Sequence, residues 1–217
     1  MIKLKDILFE STAPDIFIPR RMDDRFERMI KDYIRNGSKG DLELSNMNLT
    51  ELPEILKDIT VSGYFICSNN KLTSLNNSPK TVSGYFGCGN NKLTSLVGAP
   101  TSVGVSFWCN GNKLTSLQGA PTNVGGDFNC SNNLLTSLTG APKTVGGSFI
   151  CNSNKLTSLI GAPTSVGVSF YCGNNNLTSL VGAPKTVGGH FYCNDNPVKF
   201  TREQVRAVCN VKGNIYV

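Results

Sequence analysis

Apolar positions recur along this chain with one long period. From Val61 to Thr186 six successive stretches of 21 residues follow the pattern V-x-x-x-F-x-C-x-x-N-x-L-T-S-L-x-G-A-P-x-[TS]. A seventh begins at Val187 and departs from the pattern after Asn196. Phe and Cys stand two apart, so on an extended strand they point the same way and their neighbours point the other way. Each copy therefore predicts a short strand with Phe and Cys facing a core. Two Leu, Leu72 and Leu75 in the first copy, fill the core behind it. Gly-Ala-Pro then turns the chain and leaves no room for a helix. The first copy has Asn77 in the Gly slot, and Asn is the side-chain-bearing residue that best accepts positive φ, so this slot is expected to be left-handed. One such unit cannot bury its own apolar side, but stacked copies bury it against one another, with strands in parallel about 4.8 Å apart. The expected architecture is a right-handed solenoid with a parallel β-sheet on the concave face and irregular, extended backbone on the convex face.

The Asn three residues after Cys recurs as Asn70, Asn91, Asn112, Asn133, Asn154, Asn175 and Asn196. At that spacing its amide reaches backbone groups of the turn leaving the strand, in its own copy and the next. A buried amide needs all its partners satisfied, so a structural ladder is expected.

The run F-x-C-x-x-N-x-L-x-x-L resembles the leucine-rich-repeat core L-x-L-x-x-N-x-L-x-x-L, with Phe and Cys in the first two Leu slots. The short unit with Pro on the return side is similar to the bacterial class found in type III secretion effectors. This chain has 21 residues per copy, Gly-Ala-Pro in place of Leu-Pro pairs, and Val where the convex Leu would sit. The resemblance covers residues 41–200 or so and implies a leucine-rich-repeat solenoid. It does not imply a particular partner, because one fold hosts many functions.

The ends read as caps. Residues 1–40 form an irregular arm, 1–20, followed by a helix from Asp23 to Asn36, in which Met22, Phe26, Met29, Ile30, Tyr33 and Ile34 fall at helical spacing and which Gly37 ends. Residues 41–60 fit a degenerate first repeat, with Leu42 and Leu44 in the Phe and Cys slots and Met47 in place of the ladder Asn. The repeats run over 61–196. In the C-terminal cap, 197–217, Pro197 breaks the pattern, Thr201-Arg202-Glu203-Gln204 opens a short helix to Cys209 as a capping box, and Ile215-Tyr216-Val217 offers a final strand. Exposed solenoid ends need such polar-faced caps.

Charge changes the picture little. Residues 1–60 carry net −2, residues 61–200 net +6 and the tail net +2. A net charge of +6 permits weak attraction to anions without establishing nucleic-acid binding. Lys71, Lys92, Lys113 and Lys155 leave the strand, and Lys80, Lys143 and Lys185 follow the Pro, so neither row shares the aromatic strand face. Single-strand binding interleaves basic and stacking groups in one groove, so this arrangement argues against nucleic acid. No apolar run is long enough to span a membrane. Asp6 and Glu10 stand where a secretion signal needs apolar residues, so none is expected.

Catalytic and metal chemistry find little support. Cys67, Cys88, Cys109, Cys130, Cys151, Cys172 and Cys193 recur in an inward slot, where a thiol acts as a small core residue. There is no C-x-x-C pair, and His190 is the one His. No cofactor or metal is expected, and the chain is read as non-enzymatic. Unpaired thiols suit a reducing, cytoplasmic compartment, although a virion-associated protein is the alternative. Cys193-Asn194-Asp195 matches the Cys-x-Asp of the ubiquitin-ligase branch of the effectors. There that motif lies in a separate large domain, and 22 residues follow it here.

The informative positions are those the fold leaves free. Before Phe, facing outward, stand Tyr64, Tyr85, Ser106, Asp127, Ser148, Ser169 and His190. Between Phe and Cys stand Ile66, Gly87, Trp108, Asn129, Ile150, Tyr171 and Tyr192, the column that varies most. Tyr and Trp in a polar setting suit protein or glycan contact. Drift at solvent positions, with β-propensity favouring Tyr, Ile and Trp, accounts for the same pattern. The candidate binding face is Tyr64, Ile66, Tyr85, Trp108, Asp127, Asn129, Ile150, Tyr171, His190 and Tyr192. The expected partner is another protein bound through the concave sheet. A structural or adhesive component binding surface glycan, of bacterial or bacteriophage source, is the alternative.

Overall fold

The computed structural model describes residues 24–217. The arm expected over residues 1–20, and Met22 and Asp23 at the expected helix start, lie outside the described residues. Helix α1 (Asp24–Arg35) places Phe26, Ile30 and Tyr33 in the same core as the repeats. It ends in a Schellman motif, in which the Gly37 N–H donates to Ile34 O and the Ser38 N–H to Tyr33 O, with Gly37 at φ 73°.

The repeats form a parallel-stranded leucine-rich-repeat solenoid. Among the described residues nine two-residue strands make the first sheet in strict chain order, from Leu42–Glu43 through Phe65–Ile66 and its six successors to Ile215–Tyr216. Each Phe pairs in register with the Phe one turn on, Phe65 with Phe86 and Phe149 with Phe170. The N–H of each Phe and Cys donates forward one turn, as from Phe65 to Tyr85 O and from Cys67 to Gly87 O. Leu42 pairs with Phe65, which puts it at the head of the Phe column.

The far side is more regular than the expected irregular backbone. Val61 and its successors, with the Thr, Ser or Asn before each, pair into a second parallel sheet of eight strands that ends at Asn210–Val211. The reason is alternation: Val61 and its six successors are buried, and Val211 partly so, while the hydroxyl or amide residue before each faces outward. A repeat frame that opens at Val divides this pair between two copies, which hides the alternation. Between the two strands of each turn the backbone is irregular, with the Leu-Thr-Ser-Leu and Gly-Ala-Pro arc as the longest such stretch.

The core lies between these walls. Val, Phe, Cys and both Leu of every copy are buried. The seven Phe rings form a spine with neighbouring centroids 5.0–5.6 Å apart, within the range of favourable offset stacking. The arc turns at a left-handed residue, Asn77 at φ 69° in the first copy and Gly98 to Gly182 at φ 86–94° in the others. A second left-handed column lies two residues after Cys and holds Asn69, Asn90, Gly111, Asn132, Ser153, Asn174 and Asp195. Short polar side chains and Gly are the residues that tolerate this conformation.

Past the repeats, helix α2 (Arg202–Val208) takes the place of the Leu arc. The Thr201 side chain accepts from the Gln204 N–H and the Gln204 side chain accepts from the Thr201 N–H. Val205 and Cys209 close the core. Asn210–Val211 and Ile215–Tyr216 then extend the two sheets.

Candidate binding face

The outward face of the first sheet stands on a rigid support. Asn91 Nδ2 donates to Cys67 O of the turn before and to Cys88 O of its own turn, at 3.0 and 3.1 Å. Its Oδ1 accepts from the N–H of Leu72, also in the turn before. Asn112, Asn133, Asn154, Asn175 and Asn196 repeat this arrangement. Asn70 does the same to Leu44 O and to the N–H groups of Met47 and Leu49. Each amide thus satisfies buried backbone groups that the turn would otherwise orphan.

The column before Phe is a second ladder, which sequence reasoning missed. Ser106 Oγ accepts from the Asp127 N–H, Asp127 Oδ1 from the Ser148 N–H, Ser148 Oγ from the Ser169 N–H and Ser169 Oγ from the His190 N–H. His190 Nδ1 accepts from the Asn214 N–H at 2.9 Å, and Asp41 opens the series at the Tyr64 N–H. Only short side chains with an acceptor two or three bonds from Cα reach the next turn in this way. Asp127 and His190, singled out as contact residues, are therefore committed to backbone. Ser169 is only 3% exposed. The Ser-Asp-Ser-Ser-His run in this column was the available signal.

Tyr64 and Tyr85 have no such short acceptor, and they begin an aromatic cluster. Tyr64 meets Tyr85 edge-on at 6.1 Å, and Tyr85 meets Trp108 edge-on at 5.0 Å. The Tyr85 ring lies across Gly87, where a Cβ would come within 2.6 Å of its Oη. Burial pushes the Tyr85 phenol well above its usual range. Trp108 is 40% exposed.

A second cluster stands at the other end. Tyr171 and Tyr192 stack at 4.4 Å, and Tyr192 and Tyr216 at 4.5 Å, with planes within 5° of parallel. Tyr216, which lies beyond the repeats and was not singled out, extends the stack. The Tyr192 phenol is raised by desolvation and by its two neighbours. Between the clusters lie half-buried Asn129 and Ile150, and Ile66 is half-buried beside Tyr64.

The remaining chemistry is structural. All eight Cys are free and buried. Burial raises the thiols of the column and of Cys209 in the cap, with Cys193 and Cys209 each pushed up to about 11. Cys151 Sγ–H donates to Tyr171 O at 3.1 Å. Asp195, in the Cys-x-Asp triplet, occupies the left-handed column at φ 57°, a backbone reason for its presence. The seven repeat Lys are exposed and none lies on a strand. Among the described residues no group of His, Cys, Asp and Glu could hold a metal ion, and no helix is long and apolar enough to cross a membrane.

No family model and no curated protein matches the chain. Among solved structures it is similar to a Shigella effector LRR domain, with a TM-score of 0.61 and 19% identity over 91% of each chain. The repeat of 21 residues, the Asn ladder and this likeness together show that the chain has the leucine-rich-repeat fold of the short bacterial type.

Proposed function

We propose that this protein is a non-catalytic binding module that engages another protein through the outward face of its first sheet. The observation that carries this reading is the pair of aromatic clusters, Tyr64–Tyr85–Trp108 and Tyr171–Tyr192–Tyr216, on one face of the first sheet. Large, rigid aromatic side chains contribute disproportionately to protein contacts, and the ladders below hold them in place before binding. The sole His accepts a backbone N–H, a structural role rather than that of a free base. The leucine-rich-repeat fold of the Shigella effector domain makes a binding scaffold the natural comparison. Eight unpaired thiols suit a reducing compartment.

The test is affinity capture with mass spectrometry from bacterial lysate, comparing wild type with a Trp108→Ser, Tyr171→Ser, Tyr192→Ser variant that circular dichroism shows to be folded. Loss of a captured protein with the variant supports the reading. Identical capture by both overturns it.

A further inference from the structure

Beside the second aromatic cluster three columns of the solenoid converge on a shallow concavity of about 240 Å³. One wall is Tyr171 and Tyr192 from the middle column. The opposite wall is Ser153, Asn174 and Asp195, whose side chains project from the left-handed column at φ 51–57°. Asn152 and Asn194 flank the floor, and Gly173 between them supplies the depression. A Cβ at Gly173 would come within 2.9 Å of Asn194 O, so any side chain there would crowd the floor. No earlier turn combines two stacked tyrosines with these amides. The corresponding middle-column residues are Trp108, Asn129 and Ile150.

The lining selects a ligand chemistry. Tyr192 is stacked between Tyr171 and Tyr216, so the two phenols of the wall offer apolar ring edges and polar hydroxyls rather than two open faces. Three Asn side chains offer both donors and acceptors. Asn174 Nδ2 donates to Ser153 Oγ at 3.0 Å, which orients the amide, and among the described residues no donor reaches its Oδ1. The lining contains one carboxylate, Asp195, and neither Lys nor Arg, so a phosphate or a carboxylated ligand would meet repulsion with no cationic side chain to offset it. The volume falls below the ~300–1,000 Å³ of pockets for drug-sized molecules and suits a single ring. A neutral pyranose has the complementary surface, with C–H groups for the tyrosine ring edges and hydroxyls for the phenol oxygens and the amides.

We propose that this concavity is a binding subsite for a neutral saccharide, formed by Tyr171, Tyr192, Asn152, Asn174 and Asn194. The site shares Tyr171 and Tyr192 with the protein-contact face but needs no partner protein, so either reading can stand without the other. A single sugar ring in a shallow, open site binds weakly, with a Kd of about 1 mM.

The test is saturation-transfer NMR on the full chain with a panel of neutral sugars: glucose, galactose, mannose, fucose, rhamnose, N-acetylglucosamine and N-acetylgalactosamine. Glucose 6-phosphate and sialic acid are the anionic comparisons. Transfer to the C–H protons of at least one neutral sugar is expected. Affinity should fall at least tenfold in both Tyr192→Ala and Asn174→Gly and stay unchanged in Trp108→Ser at the far cluster. Asn174→Gly removes the amide without straining a left-handed backbone, so its loss of binding cannot be assigned to misfolding. The proposal is overturned if no neutral sugar binds up to about 50 mM, if binding survives either site variant, or if the anionic sugars bind better. Loss of a captured protein in the triple Ser variant, with every sugar silent, would leave the protein-contact reading standing and remove this one.

Discussion

The side-chain amide of Asn91 binds one turn back, its Oδ1 taking the N–H of Leu72 at 3.0 Å while its Nδ2 reaches Cys67 O at 3.0 Å. Every interior turn is therefore locked to its predecessor by polar contacts that water cannot replace. Asn112→Ala would orphan the Leu93 N–H and remove a donor from Cys88 O and Cys109 O. The expected cost is about 2–4 kcal/mol, since each unsatisfied buried group costs about 1–3. Asn112→Asp keeps an acceptor but turns the donor side into a carboxylate facing two carbonyls, so it should cost at least as much. Urea unfolding of both variants checks this, and a loss below ~1 kcal/mol would mean that the turns hold together without the ladder.

The outer ladder separates shape from chemistry. Asp127 Oδ1 accepts from the Ser148 N–H at 2.7 Å. Asp127→Asn leaves an oxygen in that place and should change stability by less than ~0.5 kcal/mol. Asp127→Ala removes it and should cost about 1 kcal/mol. If both substitutions weaken partner capture equally, while only Ala lowers the urea midpoint, Asp127 is a contact residue as well.

Much of this was legible in the residues. F-x-C alternation gave the first sheet, and the Asn period gave the ladder that Asn91 exemplifies. Asn77 in a Gly slot marked the left-handed turn. The second sheet stayed hidden because each of its strands is two residues long and straddles the boundary between copies, as at Thr81–Val82. The Ser-Asp-Ser-Ser-His column was read as solvent-facing, since strand alternation tells direction and says nothing of whether a short side chain bends to the next backbone N–H. Tyr216 was invisible as a face residue because it lies outside the period. Only the pairing of Ile215 with Phe191 brings it under Tyr192.

The thiol column makes stability fall in alkali. Burial raises the folded-state values of the Cys side chains above their ordinary value of 9, to about 11 for Cys193 and Cys209 and higher along the interior. The protonated thiol is the form the fold accepts, so above pH 9 the unfolded chain binds fewer protons than the folded one, and stability falls as pH rises. It should be insensitive to these groups below about pH 8 and decline steadily from pH 9 to 11. Urea midpoints at pH 7.5, 9 and 10.5 measure the slope, which should lessen in Cys109→Ala. In native protein at pH 8 all eight thiols should resist iodoacetamide, and in guanidinium all should react. Rapid native labelling would show that the column is open.

Gly87 decides where Tyr85 lies. Other copies carry Ile66 and Ile150 at this position, and only here does Gly leave room for the ring of the preceding column. The Tyr85 Oη and Cζ lie 2.6 and 2.9 Å from where a Cβ would stand, and these are the far end of a side chain that can swing away. Gly87→Ile should therefore fold, at a cost of about 1–3 kcal/mol, and turn Tyr85 into solvent. Because burial is the largest cause of its raised phenol value, exposure should bring that ionisation down toward the ordinary tyrosine range near 10. Trp108, edge-on to the ring at 5.0 Å, should change its emission at the same time. Ultraviolet titration of Gly87→Ile beside Gly87→Ile, Tyr85→Phe assigns the moving group. An unchanged titration would mean that Tyr85 is held by Tyr64 and Trp108 rather than by the space over Gly87, and the cluster would then be a fixed feature of the face that a partner meets as it stands.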